Sequence, residues 1–194
     1  MPNLFDFGHS RKATSLQEIK IRPGDSTQVR LFTADYEPVI LHFSKSEKLK
    51  GFFRCLGESN GCPACAAGLT RTNYILLPVY SVKEATVGVL RVSESDSHTS
   101  LLPQLLEVLS GDTSQSFQTI TRIDNFNFKV ASTNSKNQRL LGADTITEFM
   151  TQVQKGNVEL NSIYPHVTAE EMLEDDQISL AIELKKEMSA DEVN

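Results

Sequence analysis

Residues 42–68 read HFSKSEKLKGFFRCLGESNGCPACAAG and contain all 3 cysteines of the chain. Cys62 and Cys65 are separated by two residues, so their thiolates can clamp one metal ion, and the small residues after Cys65 permit the tight turn such a knuckle needs. A closed structural zinc site takes four ligands. Cys55 lies upstream in the same apolar-poor stretch, and His42 lies before it at the end of a predicted strand. The other histidines, His9, His98 and His166, fall in a polar N-terminal stretch, a loop and the C-terminal region. The expected ligand set is therefore His42, Cys55, Cys62 and Cys65, and the expected cofactor is Zn2+. Two other readings of the cysteines stay open. A thiol redox pair would want a strand–helix setting, and unligated thiols would want a core to be buried in. A closed four-ligand site leaves no position for a reactive water. No paired carboxylates, Gly-x-Ser-x-Gly or His-Glu-x-x-His motif accompanies it, so the chain is expected not to be an enzyme.

Strand signals flank this stretch on both sides. Ile19, Ile21, Val29 and Leu31 alternate with polar residues around a Pro23-Gly24-Asp25 turn, and Val39 to Phe43 reads as a second strand. Residues 44–71 have no apolar period and read as a long loop, a feature that is usually functional or braced. Tyr74 to Val82 and Thr86 to Val92 read as paired strands joined by Lys83-Glu84-Ala85. Residues 99–109 carry leucines at helical spacing, and Phe117 to Ala131 alternates around an Asp124-Asn125 turn. Thr145 to Gln154 predicts a short helix, and a capping box at Thr168 opens another that runs to about Met188. A helix that interrupts an all-β pattern fits a small closed β-barrel of the OB-fold kind. The expected fold is mainly β, with an inserted zinc-binding loop and C-terminal helices. Its parts are a flexible N-terminal arm (1–17), an OB-fold core (18–133) carrying the zinc-binding insertion (42–71), and an acidic, partly helical C-terminal region (134–194).

The formal charge of −6 hides an asymmetry. Residues 1–83 carry 11 basic and 7 acidic side chains, whereas residues 136–194 carry 5 and 12. A basic front and an acidic rear suit a nucleic-acid binder with an acidic tail, although acidic helices also serve solubility. Around the cysteine-rich stretch stand Tyr36, Phe43, Lys45, Lys48, Lys50, Phe52, Phe53, Arg54, Arg71 and Tyr74. Basic groups neutralise phosphates and aromatic faces stack on unpaired bases, so these ten are the expected DNA-binding residues. No apolar run approaches the ~20 residues of a membrane span. The N-terminus lacks a basic n-region followed by an apolar h-region, so neither membrane insertion nor export is expected.

The spacing His42-x12-Cys55-x6-Cys62-x2-Cys65 resembles the zinc site of the T-even-type phage single-stranded DNA-binding (helix-destabilising) proteins, with a shorter middle spacing. Ile21-Arg22-Pro23-Gly24-Asp25, Leu77-Pro78-Val79-Tyr80 and Ile120-Thr121-Arg122 are similar to the cores of shorter tailed-phage relatives. The resemblance spans residues 19 to about 132. It implies a zinc subdomain built into an OB-fold and sequence-independent binding of single-stranded DNA in replication, recombination and repair. It also implies an acidic C-terminal region that recruits replication and recombination proteins, in the cytoplasm of an infected host cell. Ser10-Arg11-Lys12-Ala13-Thr14-Ser15 is similar to the family's N-terminal arm motif, which gives Arg11 and Lys12 a role in self-association along DNA. The alternative function is a zinc-braced adaptor that docks on a phage or host polymerase.

Overall fold

In a computed structural model, residues 16–31, 36–110, 117–133 and 143–191 are described. The motif at Arg11 and Lys12, most of the N-terminal arm and the polar stretch 134–142 lie outside the described residues. Seven strands form one antiparallel sheet: β1 (Ser26–Leu31), β2 (Glu37–Ser44), β3 (Gly51–Arg54), β4 (Arg71–Ser81), β5 (Thr86–Ser93), β6 (Phe117–Arg122) and β7 (Phe128–Thr133). Five helices accompany them: α1 (Pro63–Ala67), α2 (Leu101–Ser110), α3 (Ala143–Gln154), α4 (Ala169–Leu173) and α5 (Asp176–Asp191). The architecture is mixed α/β.

β4 organises the sheet because it is long, at 11 residues. Its first half pairs with β2 and its second half with β1, while its other edge pairs with β5 along eight positions. The order is β3-β2-β4-β1-β6-β7, with β5 beside β4. The expected closed barrel is not what forms. Among the described residues no ladder joins β3 or β5 to β7, and the β5 and β7 edges are covered in other ways. On β7, the Gln104 side chain of α2 donates to the Phe128 carbonyl and accepts from the Val130 N–H, both at 2.9 Å. On β5, the Ile19 N–H donates to the Val89 carbonyl and the Val89 N–H to the Gln17 carbonyl. A side chain and a three-residue segment thus satisfy edge groups that another strand would otherwise pair.

Side-chain alternation sends Val29, Leu31, Leu77, Val79, Leu90, Val92 and Ile120 to one face, where Leu101 and Leu105 of α2 cover them together with Ile19 and Ile21. The opposite face carries Val39, Leu41, Leu76, Tyr80, Val87, Val89 and Phe117. Phe149 of α3 covers it together with Leu160 and Tyr164, which belong to the connection between α3 and α4. A third apolar cluster lies beside the cysteines, where Phe53, Cys62, Ala64 and Ala67 meet Val167, Met172 and Ile178.

Two local expectations change. The long loop 44–71 contains a strand, β3, whose Phe52 and Phe53 point to opposite faces of the sheet, so adjacent aromatics conceal its period-2 pattern. The C-terminal helix opens with the expected capping box at Thr168 but breaks at residues 174–175. The Asp175 carboxylate, almost fully buried, accepts from the Gln177 and Ile178 N–H groups and starts α5 anew.

Gly88 permits the cover of the β5 edge, since a Cβ there would lie 2.6 Å from Ile19 Cδ1 and 2.8 Å from the Gln17 carbonyl oxygen. Gly88→Ala is expected to push residues 17–19 off β5 and cost ~1–3 kcal/mol, as overpacking does. A urea titration would register this as a lower midpoint at unchanged slope; an unmoved midpoint would contradict the tight approach.

Candidate metal centre

His42, Cys55, Cys62 and Cys65 converge, with one ligand atom from each lying within 4.8 Å of all the others. β2 supplies His42, the residue after β3 supplies Cys55, and α1 supplies Cys62 at its N-cap and Cys65 within its single turn. The pairing of β2 with β3 places His42 opposite Phe53 and so brings Cys55 within reach. Around Cys62 and Cys65 the backbone folds into a knuckle. The Cys62 N–H donates to the Gly57 carbonyl, the Gly57 N–H donates to Cys55 Sγ at 3.3 Å, and the Gly68 N–H donates to the Cys65 carbonyl at 2.9 Å. Gly68 closes α1 at φ 84°, in the left-handed region that glycine tolerates best.

The spacing of the ligand atoms matches a tetrahedral ion. Zinc bonds of ~2.3 Å to sulfur and ~2.0–2.1 Å to nitrogen place sulfur pairs about 3.8 Å apart and sulfur–nitrogen pairs about 3.5 Å apart. Cys55 and Cys65 Sγ are 3.5 Å apart, and His42 Nε2 lies 3.4 Å from Cys65 Sγ and 3.7 Å from Cys62 Sγ. His42 Nδ1 donates to the Thr70 carbonyl at 3.2 Å, which leaves the Nε2 lone pair for the ion and fixes the ring plane. Burial holds the His42 pKa below its usual value, so the imidazole is neutral, as a ligand must be. Burial, with the Cys55 and Cys62 sulfurs beside it, pushes the Cys65 thiol up to about 12. Burial also opposes ionisation at Cys62, but backbone hydrogen bonds from Cys65 and Leu56 hold its pKa below the ordinary value. These four residues suit zinc in a closed, structural role.

The expected DNA-binding residues divide into three sets. Tyr36 and Phe43 are exposed aromatics, and Lys45 and Lys50 are exposed cations without an ion pair among the described residues. Others are engaged: Lys48 pairs with Glu174 at 2.7 Å, Arg71 pairs with Glu58 at 3.5 Å, and Arg54 donates to Asn161 Oδ1. The third set is packed. Phe53, 1% exposed, lies against the metal-ligand cluster with its ring 5.7 Å from that of His42, and has no free face for a base. Phe52 and Tyr74 are half-buried in an aromatic group with Phe43 and Tyr164.

Sequence reading missed Arg91, whose guanidinium lies 3.8 Å over the Phe52 ring and bonds Glu18 at 3.2 Å. Nothing local marks it, because β2 and β4 lie between the strands that carry Phe52 and Arg91. It also missed the far wall of the cleft. A cavity of about 350 Å3 has Lys48, Lys50 and Phe52 on one side and Pro165, His166, Glu171 and Glu174 on the other. Two acidic side chains near this stretch are also engaged: Glu37 accepts from Asn161 and Glu58 pairs with Arg71. No helix among the described residues is long and apolar enough to cross a membrane. No family model, curated protein or solved structure matches the chain.

Zinc takes thiolates, and burial keeps the Cys65 thiol protonated at neutral pH, so zinc affinity is expected to rise with pH. Titration calorimetry at pH 7 in buffers of different ionisation enthalpy should show release of at least the Cys65 proton per zinc, with none from the already neutral His42. Release of less than one proton would contradict thiolate ligation. Chelation is expected to raise amide exchange in residues 51–70 and 169–188 together, because α4 and α5 pack on α1. Exchange confined to one of these segments would contradict their coupling.

Proposed function

We propose that this chain is a sequence-independent single-stranded DNA-binding protein of phage replication, recombination and repair, and that its zinc is structural. The observation carrying this reading is the convergence of His42, Cys55, Cys62 and Cys65 into one site whose spacing is similar to that of the T-even-type binders. An OB-fold belongs to the same proposal as a partly open sheet, a form that OB-folds take.

The mechanism is binding, with no catalytic step. Phe43 offers a face for a base, Lys45 and Lys50 neutralise phosphates, and Phe52, with the Arg91 guanidinium stacked on its ring, lines the cleft. Holding unpaired strand in this way favours duplex melting by mass action. Glu174 pairs with Lys48 in the cleft that Lys50 and Glu171 also line, so an incoming phosphate competes with the carboxylate that Lys48 now holds. The hydrogen bond from Lys48 keeps the Glu174 carboxyl below its ordinary pKa, so it is charged when the strand arrives.

One observation favours the adaptor reading. Leu180, Leu184 and Met188 form an exposed stripe along α5, on a surface where single-strand binding needs nothing apolar. The same stripe also serves the first reading as the place where replication proteins are recruited.

Fluorescence anisotropy of labelled oligo-dT against zinc-loaded protein, repeated across salt, tests the proposal. Affinity is expected to fall log-linearly with salt at about 0.7 per phosphate contacted. Phe43→Ala should weaken binding by ~1–3 kcal/mol without lowering the melting temperature. Lys45→Ala and Lys50→Ala should each reduce the slope by about 0.7, and Glu174→Gln should tighten binding. No binding at low salt by protein with zinc confirmed would overturn the proposal in favour of the adaptor.

A further inference from the structure

A second, basic cavity is bordered by Arg91. It holds about 250 Å3 and is bordered by Lys20, Arg22, Arg91, Arg122 and Phe128, with Glu18 as its one acidic group. That carboxylate is already engaged by Arg91 Nε. Lys20 and Arg22 are exposed and have no ion pair among the described residues. Arg122 donates to three backbone carbonyls, those of Ile21, Asp124 and Asn125, so hydrogen bonds fix its guanidinium without a bound carboxylate cancelling its charge. The nearby Asp124 is exposed and its carboxylate accepts from the Phe126 and Asn127 N–H groups and the Asn127 side chain, close enough to Arg122 to feel its charge but not hydrogen-bonded to it. An aromatic ring, Phe128, lies 5.5 Å from the Arg122 guanidinium, and Ile21 and Leu90 complete an apolar lining.

Fixed cations, a ring and an apolar lining suit a ligand with both phosphate and a planar base. The volume falls just below the ~300–1,000 Å3 of ordinary small-molecule pockets, which suits one unit of a polymer better than a large free cofactor. Its position says which polymer. Arg91 borders this cavity while its guanidinium stacks on Phe52, and Phe52 borders the zinc cleft. The Arg91–Phe52 stack therefore links a residue lining one cavity to a residue lining the other. We infer that the cavity between residues 18–23, the β5 edge and the β6–β7 hairpin is a second nucleotide subsite, through which a single DNA strand continues from the zinc cleft past Arg91. The inference rests on the single-strand reading above and extends the strand's path to a surface that lies outside the cysteine-rich stretch.

The test compares zinc-loaded full chain with its Lys20→Gln/Arg22→Gln double variant. Both side chains are exposed, so the fold does not depend on them. Anisotropy is measured over a salt series with oligo-dT of about 5 and about 15 nucleotides, the span of single-strand site sizes. The variant is expected to match the parent on the short strand. On the long strand it should lose the parent's added affinity, with a salt slope smaller by about 1.4, or two phosphates at ~0.7 each. Equal binding of both proteins at both lengths would overturn the second subsite and leave the zinc-cleft reading standing. An equal loss at both lengths would also overturn it, since the two lysine and arginine charges would then act only through the general field. Failure of the parent to bind either strand would overturn the single-strand reading and this inference with it.

Discussion

Three thiols and an imidazole gathered within 4.8 Å are a costly arrangement for a protein by itself. Ionised sulfurs repel one another, and protonated ones fill the space between them without forming strong hydrogen bonds. A divalent cation reverses both penalties, because it requires thiolates and neutral imidazole at these separations. The surrounding chain is arranged for that reversal: a carbonyl at Thr70 orients His42, burial keeps the ring neutral, and a backbone N–H reaches Cys55 Sγ. The site ties together short elements that otherwise lean on β2 and on the α4–α5 pair. β3 is four residues long and α1 is five, and neither could persist alone.

The C-terminal region depends on the same site. Met172 and Ile178 are fully buried against Phe53, Cys62 and Ala64, so the α4–α5 pair is part of the knuckle's apolar support. Lys185 adds a hydrogen bond to the Ala66 carbonyl at the end of α1. This docking brings Glu171 and Glu174 to the wall opposite Lys48 and Lys50, so charge separated in the chain is adjacent in the fold. The ion pair it makes is exposed, and exposed pairs contribute little to stability. Removing the region from about residue 166 would uncover Phe53 and Ala64, so truncation would disturb the knuckle as well as the charge.

Much of the metal centre was legible in the sequence because its signal is local. Two cysteines at knuckle spacing, a third close by and a histidine at a strand end admit few arrangements. The strands around β4 and the capping box at Thr168 were legible for the same reason, since alternation and capping chemistry act over a few residues. Features decided by distant contacts were not. Closure of the sheet turned on Gln104 reaching the β7 edge and on residues 17–19 covering β5, and neither leaves a periodic trace. The break before α5 depends on the burial of Asp175, which the run Glu174-Asp175-Asp176 does not distinguish from its neighbours. Phe52 and Phe53 looked equivalent as sequence, yet pairing with β2 sends one toward Arg91 and the other toward His42.

The fold around the cysteines depends most on the identity of the ion and its ligands. X-ray absorption at the zinc edge of the purified full chain tests this most directly. The structure predicts one zinc per chain with three sulfur neighbours at ~2.3 Å and one nitrogen at ~2.0–2.1 Å, and replacement of the nitrogen shell in His42→Ala. Protein without bound zinc, or a first shell unchanged by His42→Ala, would contradict it.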